Sequence, residues 1–218
     1  MAGISDFQTA LARRIIEQSS DAGVIGWQRL GTGVGGTRWR VQTPRRHWFV
    51  KSAADTDAVF TAEADGLRAL AACNAVRVPQ VLDAGEIAGT GYIVMEWLPL
   101  QAKSTFPHAA VQLGQALARQ HKNVARKFGW AQRNFIGGTA QINTFSDDWL
   151  SFLRQHRLGF QLRLAAENGY RGELQSLGVQ LIERLPEFFI GYQPQASLLH
   201  GDLWGGNWGV LENGEPVS

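Results

Sequence analysis

Cysteine is nearly absent: Cys73 stands alone among 218 residues. One thiol excludes an internal disulfide and a thiolate zinc cluster, and it fits a reducing compartment, so a cytoplasmic location is expected. Cys73 ends the apolar run Leu70-Ala71-Ala72, where the expected role is a small buried hydrophobe. Long apolar runs are missing as well. Nothing approaches the roughly 18 consecutive apolar residues of a membrane-spanning helix. The start, Met1-Ala2-Gly3-Ile4-Ser5-Asp6, has no basic region followed by an apolar core, so neither export nor a membrane partner is expected. Histidine is scarce, with 5 scattered residues and no pair at metal-ligand spacing, and no structural metal is expected. Neither sign of charge dominates: 21 Lys and Arg against 19 Asp and Glu leave +2, too little to indicate nucleic acid as a partner. Internal repeats and low-complexity segments are lacking.

What is present suffices for a substantial core. With 44% apolar residues, a chain of this length can form one large domain or two lobes. Ile4, Phe7, Leu11, Ile15 and Ile16 have the spacing of an amphipathic helix over residues 4–18. From Trp27 to Val50 the pattern alternates, with Thr43-Pro44-Arg45-Arg46 at a turn, and predicts a hairpin or meander. A helix over 60–72 follows, then strand-like Val81-Leu82-Asp83, a turn at 88–91 and a strand from Tyr92 to Leu98. Beyond Pro99 the spacings are helical. Ala110, Leu113, Leu117 and His121 share one face, residues 149–166 are strongly apolar, and Leu174, Leu177, Leu181 and Leu185 form a further stripe. Strands first and helices afterward predict an α+β fold. The expected division is an N-terminal lobe over 1–98 and a C-terminal helical lobe over 99–218.

Three motifs carry chemistry. His200-Gly201-Asp202-Leu203-Trp204-Gly205-Gly206-Asn207 lies between two apolar segments and holds a carboxylate five positions before a carboxamide. Such a carboxylate orients or deprotonates an alcohol, and such an amide oxygen ligates Mg²⁺ beside a triphosphate. A tight turn rich in Gly, Asp and Asn is the plainer reading. Second, Gly31-Thr32-Gly33-Val34-Gly35-Gly36 fits G-x-G-x-x-G, with Asp55 19 residues beyond Gly36. A dinucleotide site needs these glycines to open a helix, whereas an alternating segment follows here. The remaining readings are a hairpin whose N–H groups close over phosphates and a merely flexible turn. Third, Lys51 ends the apolar strand Trp48-Phe49-Val50, while Glu63 shares a helical stripe with Phe60, Leu67 and Leu70. An inward carboxylate wants a cation, and Lys51 is the candidate.

Together these segments resemble the bacterial fructosamine kinase (ketosamine 3-kinase) family, within the protein-kinase-like and aminoglycoside-phosphotransferase-like superfamily. The resemblance covers nearly the whole chain. Beyond the motifs above it rests on Glu63-Ala64-Asp65-Gly66-Leu67, Val78-Pro79, Leu113 through Ala118, Asn134-Phe135-Ile136-Gly137, Gln141-Ile142-Asn143, Trp149, Arg157-Leu158 and the run from His200 to Gly209. It implies a bilobal protein-kinase-like fold using ATP and Mg²⁺ as cofactors. In that scheme Gly31, Gly33, Gly35 and Gly36 cover the phosphates, Lys51 binds them and Glu63 orients Lys51. Backbone groups of Glu96, Trp97 and Leu98 meet adenine. Asp202 takes the acceptor's proton and Asn207 binds Mg²⁺. Trp204 either covers a sugar face or anchors the loop as a buried residue. His200 holds the loop by a hydrogen bond, and His121 is expected in the core or between helices. The implied reaction is phosphorylation of the 3-hydroxyl of a free or protein-linked ketosamine, after which the unstable ester leaves and frees the amine.

Kinases of this fold carry a second Mg²⁺-binding Asp just past the hairpin that follows the Asn. Here Glu212-Asn213-Gly214-Glu215 has a strong hairpin signal and the sequence stops at Ser218. A C-terminally incomplete lobe is therefore expected, with self-association through its uncovered surface as a consequence. Two other functions stay open: another alcohol kinase of this fold, acting on an aminoglycoside, choline-like or sugar substrate, and a noncatalytic nucleotide-binding or interaction module.

Overall fold

The computed structural model describes residues 5–33 and 35–218. Ile4 of the first apolar stripe and Val34 of the glycine run lie outside the described residues. Two compact units emerge: one comprises the chain to His121 together with Leu199–Ser218, the other Lys122–Leu198. The expected lobe boundary at 98–99 falls inside the first unit.

The first unit is built on a five-stranded antiparallel sheet ordered β1-β2-β3-β5-β4, with β1 at Gly26–Gly33, β2 at Gly36–Gln42, β3 at His47–Ala54, β4 at Val81–Ile87 and β5 at Thr90–Glu96. Alternation along the strands sends successive side chains to opposite faces. On one face Trp48, Val50, Tyr92, Val94 and Val41 close over Leu11 and Ile15 of α1 (Asp6–Ser19). A capping box starts α1: the Gln8 N–H donates to Ser5 Oγ, and the Ser5 N–H donates to Gln8 Oε1. The helix is fastened to the sheet by Asp83, which accepts hydrogen bonds from Arg14 Nε and Tyr92 Oη, both at 2.8 Å. On the other face Ile93 and Met95, flanked by Phe49 and Ala53, pack on Phe60 and Ala64 of α2 (Asp57–Ala72). Cys73, just beyond α2, is half-buried, and its thiol donates to Leu70 O.

α3 (Ala109–Gln120) buries Ala109, Leu113, Ala116 and Gln120. Its buried face is thus turned about one residue from the expected Ala110–Leu117 face. His121, expected inside, is the exposed residue that ends the helix, one position past Gln120. In the second unit, the expected helix over 149–166 is α4 (Trp149–Phe152) and α5 (Gly159–Glu167) joined by a π-helical segment, Leu153–Leu158. The stripe on α6 (Glu173–Arg184) is corrected by the structure. Leu174, Leu177 and Leu181 are exposed, and Leu185 alone of that stripe is buried. α6 meets α5 through its other face, where a Cβ on Gly178 would stand 2.4 Å from Leu162 Cδ2. Glycine is what allows that close approach.

Candidate active site

β3 and α2 place the first pair of polar side chains. Lys51 shares its parity on β3 with Phe49 and Ala53, so it rises from the face covered by α2. Glu63 lies on the stripe of α2 that carries Phe60 and Leu67. The Lys51 ammonium meets Glu63 Oε1 at 2.7 Å, with both side chains about one-third exposed. Each charge thus has a partner while Lys51 retains solvent access.

The glycine run forms a hairpin between β1 and β2, and no helix opens there, which removes the dinucleotide reading. Gly33 pairs with Gly36 across the turn, and the register shifts between Arg29 and Gly31. Gly35 and Gly36 hold φ of 91° and 90°. At Gly36 a Cβ would lie 2.3 Å from Ser52 O on β3, so a side chain has no room there.

At the end of β5 the segment 96–98 is anchored unevenly. The Glu96 carboxylate accepts from Arg77 Nη2 at 2.5 Å and from the Gln80 N–H at 3.2 Å. The Glu96 N–H donates to Gln80 O, and the Trp97 N–H donates to His47 O at 3.4 Å. Among the described residues, no hydrogen bond uses the Leu98 N–H. The Arg40 guanidinium lies 4.9 Å from the Trp97 ring centroid.

Residues 200–207 form an ordered turn. Asn207 Nδ2 donates to both Asp202 O and Asp202 Oδ2, each at 2.9 Å, and the Asn207 N–H donates to Trp204 O. The amide nitrogen is therefore committed to Asp202, which leaves the Asn207 side-chain oxygen and Asp202 Oδ1 available. Behind the turn, the Asp202 N–H donates to His200 Nδ1 at 3.3 Å. Burial lowers the His200 pKa despite the opposing pull of the Asp202 charge. Trp204 is 63% exposed, so it is no buried anchor, and its ring lies where a Cβ on Gly206 would fall.

The turn is held in the first unit on both sides. Leu203 and Trp208 pack on Val76, Leu113 and Ala116. β6 (Gly209–Val210) and β7 (Pro216–Val217) form the expected hairpin, tied by Gln101 N–H to Val210 O and Ser218 N–H to Arg77 O. Lys103, unmarked by any motif, donates from Nζ to Gly205 O and sits 4.3 Å from the Trp208 ring centroid. Nothing local in sequence announces a contact spanning 102 residues. Asn134, Asn143 and Arg157 build a knot in the second unit. Arg157 donates to Ile142 O and Asn143 Oδ1, and Asn143 Nδ2 donates to Asn134 Oδ1.

Residues 8–218 match the fructosamine kinase family over nearly the whole chain. The chain belongs to that family. Its curated relatives include the "Probable ketoamine kinase" of Synechocystis, 38% identical over 172 residues covering 78% of this chain and 57% of that protein. Another is the chloroplastic "Protein-ribulosamine 3-kinase" of Oryza sativa subsp. japonica, 34% identical over 207 residues covering 93% and 60% of the two chains. The chain thus spans under two-thirds of the length of these relatives. A crystal structure from Thermobifida fusca, provisionally assigned as a fructosamine-3-kinase, superposes with a TM-score of 0.81 at 28% identity, covering 95% of this chain and 71% of that one. A thermostable mutant of the aminoglycoside phosphotransferase APH(4)-Ia superposes at 0.62 with 14% identity, covering 95% and 69%. That likeness shows the fold alone. The fructosamine kinase chain accordingly has the protein-kinase-like α+β fold, with its sheet in the N-terminal part and helices following.

Proposed function

We propose that the protein transfers the γ-phosphate of ATP to the 3-hydroxyl of a ketosamine. The observation that carries this reading is the Asp202–Asn207 turn, in which one carboxylate oxygen is fixed by Asn207 and the other is left for an acceptor. The acceptor hydroxyl donates to Asp202 Oδ1, which aligns its oxygen on the γ-phosphorus. As the new P–O bond forms and the bond to ADP breaks, the hydroxyl proton passes to that carboxylate. Lys51 binds the α- and β-phosphates, and Glu63 keeps its ammonium in place. Gly31, Gly33, Gly35 and Gly36 let backbone N–H groups close over the phosphates. Backbone groups of Glu96, Trp97 and Leu98 receive adenine, with the Leu98 N–H, unpaired among the described residues, as the donor.

Mg²⁺ suits the donor set. Among the described residues, no cluster of three or more His, Cys, Asp or Glu could hold a metal alone. Mg²⁺ bound with a nucleotide typically takes only one or two protein ligands, the rest being phosphate oxygens and water. The free oxygen of Asn207, beside Asp202, meets that need. When bound, the ion neutralises charge on the phosphates.

The names of the relatives favour a ketoamine acceptor over other alcohols, and the exposed Trp204 indole offers an apolar face to a sugar ring. A cytoplasmic setting is consistent with the lone Cys73, and no helix among the described residues is long and apolar enough to cross a membrane. The test is a phosphate-transfer assay comparing a fructosamine, its parent sugar and several aminoglycosides. Ketosamine phosphorylation with little turnover of the others is expected. Preference for an aminoglycoside with no ketosamine turnover would overturn the acceptor. Tight Mg²⁺·ATP binding without transfer to any acceptor would favour a nucleotide-binding module.

A further inference from the structure

The second unit contains an open cleft of about 610 Å³ lined by Ile142, Ser151, Arg154, Gln155, His156, Gly159, Arg163 and Ile182. Its charge is one-sided. Two guanidiniums and an imidazole line it, with no Asp or Glu among them. The nearby Asp148 is occupied as the cap of α4, accepting from the Ser151 N–H at 2.7 Å. Arg157 is the cation of this segment already used internally, on Ile142 O and Asn143 Oδ1. The side chains of Arg154 and Arg163 form no ion pair or hydrogen bond among the described residues.

The backbone is shaped to present them. The π-helical segment inserts an extra residue per turn, and the Gly159 N–H closes it onto Arg154 O. Such segments are frequent at functional sites. A Cβ on Gly159 would stand 2.5 Å from Arg154 O, so glycine is what lets the segment close there, and the Arg163 guanidinium lies beside it, with Nη1 3.5 Å from the same point. Ser151 and Gln155 add neutral hydrogen-bonding groups to the wall.

We propose that this cleft binds a phosphate group, free or as the monoester of a small molecule, at a site separate from the one that takes ATP. Two unneutralised guanidiniums match a dianion, whereas a single carboxylate would leave one of them without a counter-charge. The guanidinium fork pairs bidentately with phosphate oxygens. Ser151 and Gln155 suit the remaining oxygens or the body of an ester. The cleft has room for more than phosphate alone.

The test is calorimetric titration of the full chain with inorganic phosphate and with glycerol phosphate, at ionic strength held constant with chloride. Saturable binding is expected, weakened about tenfold in Arg154→Gln and again in Arg163→Gln, the loss typical of one charge-assisted contact. Lys51→Met, which alters the ATP site only, should leave it unchanged. Equal or tighter binding of the ester assigns an ester ligand, and preference for inorganic phosphate assigns free phosphate. No saturable binding, undiminished binding in the double variant, or loss in Lys51→Met alone would overturn the site. Phosphate-dependent shifts of the Arg154 and Arg163 side-chain NMR signals in the unaltered protein give a check that needs no variant; unshifted signals at saturation would also overturn it.

Discussion

His200 shows how one side chain can set the order of the turn proposed to be catalytic. Its Nδ1 accepts from the Asp202 N–H, so the imidazole must be neutral with its proton on Nε2. Burial lowers its pKa below the ordinary value of 6.5. Between the folded value and 6.5 the unfolded chain binds the extra proton, so this contribution to stability is complete above 6.5 and is lost as pH falls toward the folded value. Protonation would also remove the acceptor that holds Asp202. NMR titration of the His200 ring in the folded protein should give a midpoint below 6.5; a midpoint at or above it would contradict this account. Lys103 acts on the same turn from outside. Lys103→Met should lower kcat about tenfold or more, the cost of losing a charged hydrogen bond, with little change in ATP affinity. Unaltered kcat would show that Gly205 needs no such restraint. Asp202, Asn207 and Lys51 were legible because each sits in a short, ordered motif, and Glu63 because helical periodicity aims it inward. Lys103 was not, since its partners are distant in sequence.

At the scale of elements, alternation and turn chemistry revealed most of the sheet. Thr43-Pro44-Arg45-Arg46 and Ala88-Gly89 both mark true turns between paired strands. The glycine run was ambiguous in sequence between a helix opening and a hairpin, and pairing of Gly33 with Gly36 makes it a hairpin. Two glycines there make separable predictions. Gly35 and Gly36 share a positive φ, but a Cβ on Gly35 meets nothing within 4 Å, whereas one on Gly36 meets Ser52 O. Gly35→Ala should cost about 1 kcal/mol of unfolding free energy from backbone strain alone. Gly36→Ala should cost about 3 kcal/mol or more, because β2 or β3 must shift as well. Urea denaturation checks this, and equal losses would mean the strands yield freely. The helices were harder to read. An apolar stripe identifies a helix but not which face meets a neighbour: α6 packs through Gly178, the residue with no side chain to count. The π-helical segment left no signal in apolar spacing either.

For the whole molecule, the order of strands followed by helices was enough for the fold class, because each element type must bury a different periodicity. The chain's return was not legible. Leu199–Ser218 rejoins the first unit through single backbone links at Gln101 and Arg77 and through Leu203 and Trp208, contacts that sequence spacing does not encode. That return puts the Asp202–Asn207 turn in the same compact unit as the Lys51–Glu63 pair. The proposed transfer therefore rests on one carboxylate acting in concert with that unit. Its most direct measurement is the rate of ketosamine phosphorylation by Asp202→Asn beside the unaltered protein, with ATP affinity followed in parallel. The amide is nearly isosteric and cannot take the acceptor's proton, so kcat should fall by about 100- to 10,000-fold while ATP binds as before. Phosphate transfer at an undiminished rate would contradict the assignment of Asp202, and with it the proposed site.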